Sequence, residues 1–221
     1  MNNNPPNSYI EHTNLKPALC DRDIDQLITE AKSYNFLGIC VPPFWVKKAS
    51  RDIADTAIQL VTVIGFPLGY HRTETKIKEI ELALADGADE VDMVANISAF
   101  KSGMNWPKIE MAKCAKLAHE HSKILKVIVE TALLTSDELA ELSKIVSDSG
   151  ADFIKTSTGF ATRGASVDDI RIMKRNISSD VGIKASGGIK TLAELRAMVE
   201  AGADRIGTSS GPSIMKELEN E

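Results

Sequence analysis

Two lysines stand at the ends of short apolar runs and are the residues of this chain best suited to chemistry. Lys155 ends the run 151–154 and Lys184 ends the run 181–183, and polar residues and glycine follow each lysine at once. Each run is typical of a buried strand that leads into a loop, with one helix between the two. Neighbouring parallel strands lie about 4.8 Å apart, so we expect the two ammonium groups to crowd each other.

Crowding and shielding from water both disfavour a positive charge, so one lysine of this pair is expected to titrate low. A neutral lysine amine can attack a carbonyl carbon. Two simpler interpretations are that both lysines bind an anionic substrate as point charges, or that each pairs with a carboxylate in the core. Buried lysines are rare without a function, which favours a site role for the pair. Spacing alone leaves open which lysine is the nucleophile.

A carboxylate lies inside another apolar run. Asp92 occupies the middle of residues 90–94, which are otherwise apolar after Glu90. It could move a proton directly or through a water, or form an ion pair with a lysine such as Lys126 or Lys184. The two interpretations overlap, because a counter-ion can also relay a proton.

The elements that must position these residues alternate along the chain. Eight candidate strands are predicted at residues 9–12, 37–41, 59–64, 90–94, 124–129, 152–155, 181–184 and 204–207. Helical patterns are predicted at residues 23–34, 73–85, 106–119, 136–147, 167–175, 192–200 and 213–219. This alternation predicts a parallel sheet, and eight strands in one α/β domain over residues 9–221 favour a single (β/α)8 TIM barrel. An open doubly wound sheet competes, but residues 37–43 lack its glycine-rich dinucleotide turn.

A Gly-Ala-Asp phrase recurs, beginning at Gly87, Gly150 and Gly202. Each copy follows a helical pattern and opens an apolar run, which indicates a helix that ends on glycine, a tight turn and a strand. The copies are unequally spaced, so they indicate a recurring helix–turn–strand unit and not a solenoid repeat of fixed period.

Glycines and hydroxyls follow the last three predicted strands, namely Gly159, Gly187, Gly188, Gly207, Ser209 and Ser210. Active sites of TIM barrels form at the carboxyl ends of the strands, and phosphate sites are often built from the loops after strands seven and eight. These residues therefore predict a phosphate site, although the two serines could also be plain helix caps.

Composition excludes several classes of function. The chain has 221 residues, 43% of them hydrophobic, and a net charge of −5, which argues against nucleic acid or a membrane surface as the main partner. Residues 1–8 have no basic start and no apolar segment, so they are expected to be a disordered tail and not a secretory signal. Three widely spaced cysteines fit neither a disulfide framework nor a zinc site, and a cytoplasmic location is expected. Cys40 is expected to be a buried small hydrophobe, and the histidines have no metal-ligand spacing.

The two lysine segments, residues 154–160 and 182–189, resemble the two lysine motifs of the deoxyribose-phosphate aldolase family. Further segments resemble other blocks of that family, namely residues 10–17, 65–69, 87–93 and 202–211. The likeness spans residues 9–215, which is nearly the whole chain.

The resemblance implies a class I aldolase that cleaves 2-deoxy-D-ribose 5-phosphate reversibly to acetaldehyde and D-glyceraldehyde 3-phosphate. It implies that Lys155 forms the Schiff base, that Lys184 is the neighbouring cation that lowers its pKa and joins proton transfer, and that Asp92 with Thr158 serves the proton relay. The glycines and serines named above fall where the family holds the phosphate. No metal or other cofactor is implied, because the iminium itself accepts electrons. Homodimers are common in the family, so a homodimer is an expectation.

Two positions depart from the family pattern. Phe160 stands where some members have a phosphate-binding lysine, so backbone groups, Arg163 or Lys190 are expected to supply the phosphate affinity. Glu11 stands where aspartate is common. Two alternatives stay open at this point. One is a Schiff-base aldolase for another phosphosugar, and the other is a non-catalytic phosphosugar-binding barrel in which both lysines only clamp anions.

Overall fold

Eight parallel strands form a closed barrel in the computed structural model, which describes residues 4–221. The strands are β1 (Ile10–Thr13), β2 (Gly38–Val41), β3 (Gln59–Ile64), β4 (Glu90–Val94), β5 (Ile124–Ile128), β6 (Phe153–Lys155), β7 (Gly182–Ser186) and β8 (Arg205–Thr208). Each strand pairs with its successor along the chain, and β8 closes on β1 through the register Glu11 to Gly207. The predicted (β/α)8 TIM barrel is therefore confirmed, and the open sheet is excluded.

Helices surround the barrel: α1 (Asp21–Tyr34), α2 (Val46–Asp52), α3 (Thr73–Ala85), α4 (Ile97–Lys101), α5 (Trp106–Glu120), α6 (Ser136–Asp148), α7 (Val167–Asn176), α8 (Leu192–Ala201) and α9 (Gly211–Glu219). The sequence predicted seven of these and missed α2 and α4. Those two helices have seven and five residues, which is too short for a helical period to repeat. None of the helices within residues 4–221 is long and apolar enough to cross a membrane.

The start of the chain differs from the expected disordered tail. Residues 1–3 lie outside the described part, but Pro6–Tyr9 form a 3₁₀ helix. The Asn7 side-chain amide donates to the carbonyl oxygens of Tyr34 at 3.0 Å and Asn35 at 3.1 Å. These bonds to the end of α1 order residues 6–8, because they satisfy two carbonyls that the helix leaves unpaired.

The recurring Gly-Ala-Asp phrase has a structural explanation at the amino end of the barrel. In each copy the aspartate Oδ2 accepts from a backbone N–H of the preceding strand, at 2.8 to 3.0 Å, and the aspartate N–H donates to the carbonyl of that same residue. The reciprocal pairs are Asp89 with Leu60, Asp152 with Leu125, and Asp204 with Ile183. These reciprocal hydrogen bonds therefore join the amino ends of β3 and β4, of β5 and β6, and of β7 and β8.

Alternation along the strands separates an apolar shell from a charged interior. On β4 the side chains of Val91 and Met93 belong to the buried apolar core, while Asp92 between them contacts charged side chains of other strands. This follows from the period of two along a strand. The interior of the barrel is consequently where the functional side chains meet.

Candidate active site

The two lysines meet at a shared carboxylate. Register places Lys155 of β6 opposite Lys184 of β7. Both Nζ atoms donate to the same oxygen, Asp92 Oδ2, at 2.8 Å from Lys155 and 2.7 Å from Lys184. The structure thus brings together the three charged residues that the sequence singled out, with the two amines only two hydrogen bonds apart.

Asp92 contacts a third cation as well. Its Oδ1 accepts from Lys126 Nζ at 3.1 Å. Burial alone would raise the pKa of Asp92, but the charges of Lys126, Lys155 and Lys184 outweigh it and hold that pKa well below its usual range. The carboxylate is therefore ionised at neutral pH, and both ion pairs considered from the sequence are present.

Lys184 has a second carboxylate partner in Glu11, which hydrogen-bonds its Nζ. Burial opposes the charge on Lys184, yet the Asp92 and Glu11 carboxylates prevail and raise its pKa above the usual range. Burial also acts against the Glu11 charge, but Lys126 and Lys184 lower the pKa of Glu11 to about 2. Lys184 is therefore a fixed ammonium, and Glu11 is a fixed carboxylate that contacts it.

The charge network continues toward the amino end of the barrel. Arg205 binds Glu90 at 2.7 Å and Glu11 at 3.0 Å, and Lys126 also pairs with Glu90. The Arg205 guanidinium lies over the Phe153 ring, 4.7 Å from its centroid. No role was predicted for Glu90 or Arg205 from the sequence. Their position could have been predicted, because each directly follows the aspartate of the recurring Gly-Ala-Asp phrase and is the first residue of its strand to face the barrel interior.

A cavity of about 320 Å³ opens above this network at the carboxyl ends of the strands. Lys155 lines the cavity, whereas Lys184, Lys126 and Asp92 are fully buried beneath it and are absent from its wall. Access therefore distinguishes the two lysines that spacing could not distinguish, since Lys155 lines the cavity and Lys184 does not.

Every other residue predicted for the site lines the cavity, namely Thr158, Gly159, Gly187, Gly188, Gly207, Ser209 and Ser210. Gly159, Gly187 and Gly188 have φ angles of 87°, 86° and 80°, a conformation that lets backbone N–H groups face a ligand without a side chain in the way. Ser210 precedes α9, but its side chain makes no capping hydrogen bond. The helix-cap interpretation is therefore wrong for Ser210.

The cavity wall carries positive charge. It includes Lys155, Lys16 and Lys190, and it contains no aspartate or glutamate within the described chain. Lys16 belongs to the loop after β1, which the sequence analysis did not include in the site, although that loop directly follows a strand at the same end of the barrel. The wall is therefore suited to an anionic group.

The phenylalanine that departs from the family pattern also lines the cavity. Phe160 is half exposed and packs edge-on against Phe66, with 5.3 Å between ring centroids. Of the two basic residues expected to compensate for it, Lys190 lines the cavity and Arg163 does not. Arg163 instead binds Asp169 at 2.5 Å and 3.2 Å, because that carboxylate satisfies its guanidinium at the start of α7.

Other reactive side chains are placed less favourably. Cys40 is buried, and burial raises the pKa of its thiol to about 11, so it is a neutral thiol at physiological pH. Across residues 4–221, no group of three or more His, Cys, Asp or Glu side chains is arranged to hold a metal ion.

Comparison with known proteins identifies the family. The family model described as DeoC/LacD family aldolase matches residues 8–217. The curated deoxyribose-phosphate aldolase of Lactococcus lactis subsp. lactis is 47% identical over 212 residues, 96% of each chain, and deoxyribose-phosphate aldolase 1 of Staphylococcus aureus strain MRSA252 is 49% identical over the same shares. A solved structure described as QR15, an aldolase, superposes with a TM-score of 0.91 at 41% identity, covering 97% of this chain and 96% of the other. The chain therefore belongs to the DeoC/LacD aldolase family.

Proposed function

We propose that this protein is a deoxyribose-phosphate aldolase, which cleaves 2-deoxy-D-ribose 5-phosphate reversibly to acetaldehyde and D-glyceraldehyde 3-phosphate. The names of the relatives and the high coverage support the reaction. One structural observation carries the mechanism: Lys155 and Lys184 share one oxygen of Asp92 at the floor of a positively charged cavity.

Lys155 is the proposed nucleophile. Its Nζ adds to the C1 aldehyde of the open-chain sugar, and loss of water from the carbinolamine leaves an iminium. The exposure of Lys155 to the cavity supports this assignment, as does its contact with a carboxylate that already binds two other cations. Lys184 and Lys126 are fully buried, which leaves their amines out of reach of a substrate carbonyl.

The iminium makes carbon–carbon cleavage feasible without a metal. The C3 hydroxyl loses its proton, the C2–C3 bond breaks, and its electron pair moves to the iminium nitrogen to give an enamine and D-glyceraldehyde 3-phosphate. Protonation of the enamine at C2 and hydrolysis then release acetaldehyde and restore Lys155. We assign proton transfer to Asp92 with Thr158, and we assign to Lys184 the role of the neighbouring ammonium that shares the Asp92 oxygen with Lys155.

Phosphate binding is proposed for the part of the cavity wall that follows strands β6, β7 and β8. The backbone at Gly159, Gly187, Gly188 and Gly207 and the residues Ser209 and Ser210 line that wall. Helix α9 begins next to them at Gly211, and the amino end of a helix favours an anion. Lys190 supplies a cation on the same wall, whereas the uncharged side chain of Phe160 cannot.

Compartment and assembly are also proposals. Three free cysteines, Cys20, Cys40 and Cys114, suit a reducing cytoplasm. Exposed apolar side chains on neighbouring helices, among them Leu82 of α3 and Trp106 and Ile109 of α5, suit a homodimer contact. Sedimentation of the purified protein tests the dimer, since a single species with the monomer's mass would contradict it.

Release of acetaldehyde tests the reaction. Purified protein incubated with 2-deoxy-D-ribose 5-phosphate should produce acetaldehyde, measured by NADH consumption with alcohol dehydrogenase, and Lys155→Leu should produce none. Fructose 1,6-bisphosphate, whose aldol cleavage would give two three-carbon phosphates, should not be consumed under the same conditions. Cleavage of another phosphosugar in preference to 2-deoxy-D-ribose 5-phosphate would replace the proposed substrate, and binding without any turnover would favour the non-catalytic barrel.

A further inference from the structure

Glu130 combines burial with a backbone conformation that is costly for its residue type. It follows β5 at the carboxyl end of the barrel, with φ 46° and ψ 71° in the left-handed region. Its side chain is buried, and the residue is only 4% exposed. Non-glycine residues avoid this region, and when such strain persists it clusters at functional sites. Neither the strain nor the burial is explained by the residues assigned to the site above.

The Glu130 carboxylate is held by one residue of the cavity wall. Its Oε2 accepts hydrogen bonds from Thr158 N at 3.2 Å and from Thr158 Oγ1. Within residues 4–221, Glu130 has no ion pair with a lysine, arginine or histidine, and its buried Oε1 accepts no hydrogen bond from any described residue. A buried carboxylate without a cation is costly, so charge pairing does not explain why a glutamate stands at this position.

These hydrogen bonds determine whether the Thr158 hydroxyl can donate a hydrogen bond to a substrate or accept one from it. The Thr158 hydroxyl proton is directed at Glu130, and its Oγ1 already accepts from Phe160 N at 3.1 Å. A hydroxyl has one proton and two lone pairs, so a single lone pair of Oγ1 is left for the cavity that Thr158 lines. Thr158 therefore meets a bound molecule as a hydrogen-bond acceptor.

We propose that Glu130 is a positioning residue that orients the Thr158 hydroxyl to accept a hydrogen bond from a hydroxyl of the bound sugar. Glu130 does not touch the substrate and acts only through Thr158. The same contact with Thr158 N places the loop that carries Gly159 into the cavity wall. This inference rests on the proposed aldolase reaction, in which a sugar hydroxyl must be held and deprotonated.

Two conservative variants separate orientation from charge. Glu130→Gln loses the charge but keeps a side-chain oxygen that can accept both bonds from Thr158, so kcat should stay within about threefold of wild type. Glu130→Asp keeps the charge but is one methylene shorter, and aspartate tolerates a positive φ, so kcat should fall about tenfold or more. Thr158→Val should lose as much kcat, and its KM should change little because it keeps the backbone N–H that binds Glu130 and places the Gly159 loop.

A double variant measures whether the two residues act as one unit. Glu130→Asp combined with Thr158→Val should have the kcat of the worse single variant, because the second change removes nothing further. A loss equal to the product of the two single losses would overturn the proposal. So would an inactive Glu130→Gln beside an active Glu130→Asp, since that pattern assigns the effect to charge.

The chain offers a matched control in Thr135 and Glu138, which exchange hydrogen bonds at the start of α6 away from the cavity. Glu138→Asp should leave kcat unchanged. Circular dichroism checks that each variant folds. If Glu130→Asp does not fold, the other two variants still decide the question. Retained kcat in Glu130→Gln with lost kcat in Thr158→Val supports the proposal, and equal losses of kcat in the two overturn it. Wild type that neither cleaves 2-deoxy-D-ribose 5-phosphate nor forms an imine would instead refute the proposed function.

Discussion

The two ends of the barrel interior hold the same kinds of charge and use them differently. Toward the amino end, Arg205, Glu90 and Lys126 pair with one another and are closed in by the strands. Toward the carboxyl end, Lys155 and Lys184 share one oxygen of Asp92, and Lys155 opens into a cavity. Burial of a lysine therefore does not by itself make a nucleophile. The access of one lysine to the cavity distinguishes the end that we propose to be reactive from the structural end.

The charge balance of the network sharpens this difference. Four cationic side chains and three carboxylates contact one another, namely Lys126, Lys155, Lys184 and Arg205 with Glu11, Glu90 and Asp92. Among the described residues 4–221, Lys155 pairs with Asp92 alone, which it shares with two other lysines. Each of the other cations contacts at least two carboxylates. The lysine with the fewest carboxylate contacts in the network is therefore the one that lines the cavity.

The largest effect is expected from Lys155→Leu, which removes the only lysine of the network that lines the cavity. Turnover should fall to the uncatalysed level, and folding should persist because Asp92 keeps Lys126 and Lys184 as partners. Acetaldehyde release and circular dichroism provide the two measurements. Activity comparable to wild type in this variant would show that another residue attacks the carbonyl.

A smaller but still large effect is expected from Lys184→Leu. Turnover should fall about 100-fold, because the ammonium beside Lys155 and its hydrogen bond to Asp92 are both lost, and the pH–rate profile should change. Glu11 and Asp92 retain Lys126 as a partner, so stability should fall by about 3 kcal/mol without loss of the fold. An unchanged pH–rate profile would contradict the role given to Lys184.

The network also predicts how stability depends on acid. Glu11 has a folded-state pKa of about 2 against 4.5 for the free side chain, so the unfolded chain takes up a proton first as pH falls. Its contribution is present above about pH 4.5 and is lost as pH falls toward 2. Denaturant unfolding of wild type and Glu11→Gln between pH 6 and roughly pH 3 should show the variant with the shallower dependence. Parallel pH curves would contradict this.

The smallest effect is expected at the amino end, from Asp204→Ala. The variant loses the hydrogen bond from Ile183 N, so the free energy of unfolding should drop by about 1 kcal/mol, while kcat stays at the wild-type value. Asp204→Asn retains an acceptor oxygen and serves as the matched control, with a smaller loss. A fall in kcat at unchanged stability would contradict the separation of a structural amino end from the site at the carboxyl end of the barrel.

Sequence patterns predicted the barrel well because each strand and long helix carries its own local signal. The Gly-Ala-Asp phrase indicated three strand starts, and the helix periods located seven of the helices. The short helices α2 and α4 have too few residues to show a period. The order of residues 6–8 depends on the Asn7 amide reaching the end of α1, which no local pattern reveals.

The sequence predicted which residues belong to the site, but it did not predict which contacts join them. Strand ends placed Asp92, Lys155 and Lys184 at one level, since strand period and parallel register follow from sequence. Which lysine reaches the cavity depends on the side-chain packing of the whole interior. The contacts of Glu130 with Thr158 and of Arg205 with Glu11 join residues 28 and 194 positions apart, so they became visible only in three dimensions.

Reductive trapping gives the most direct test of the claim that the cavity-facing lysine is the nucleophile. Protein incubated with acetaldehyde and borohydride should gain one ethyl group, and peptide mapping should place it on Lys155, with no gain in Lys155→Leu. An unmodified protein, or an ethyl group on Lys184 or Lys126, would contradict the account.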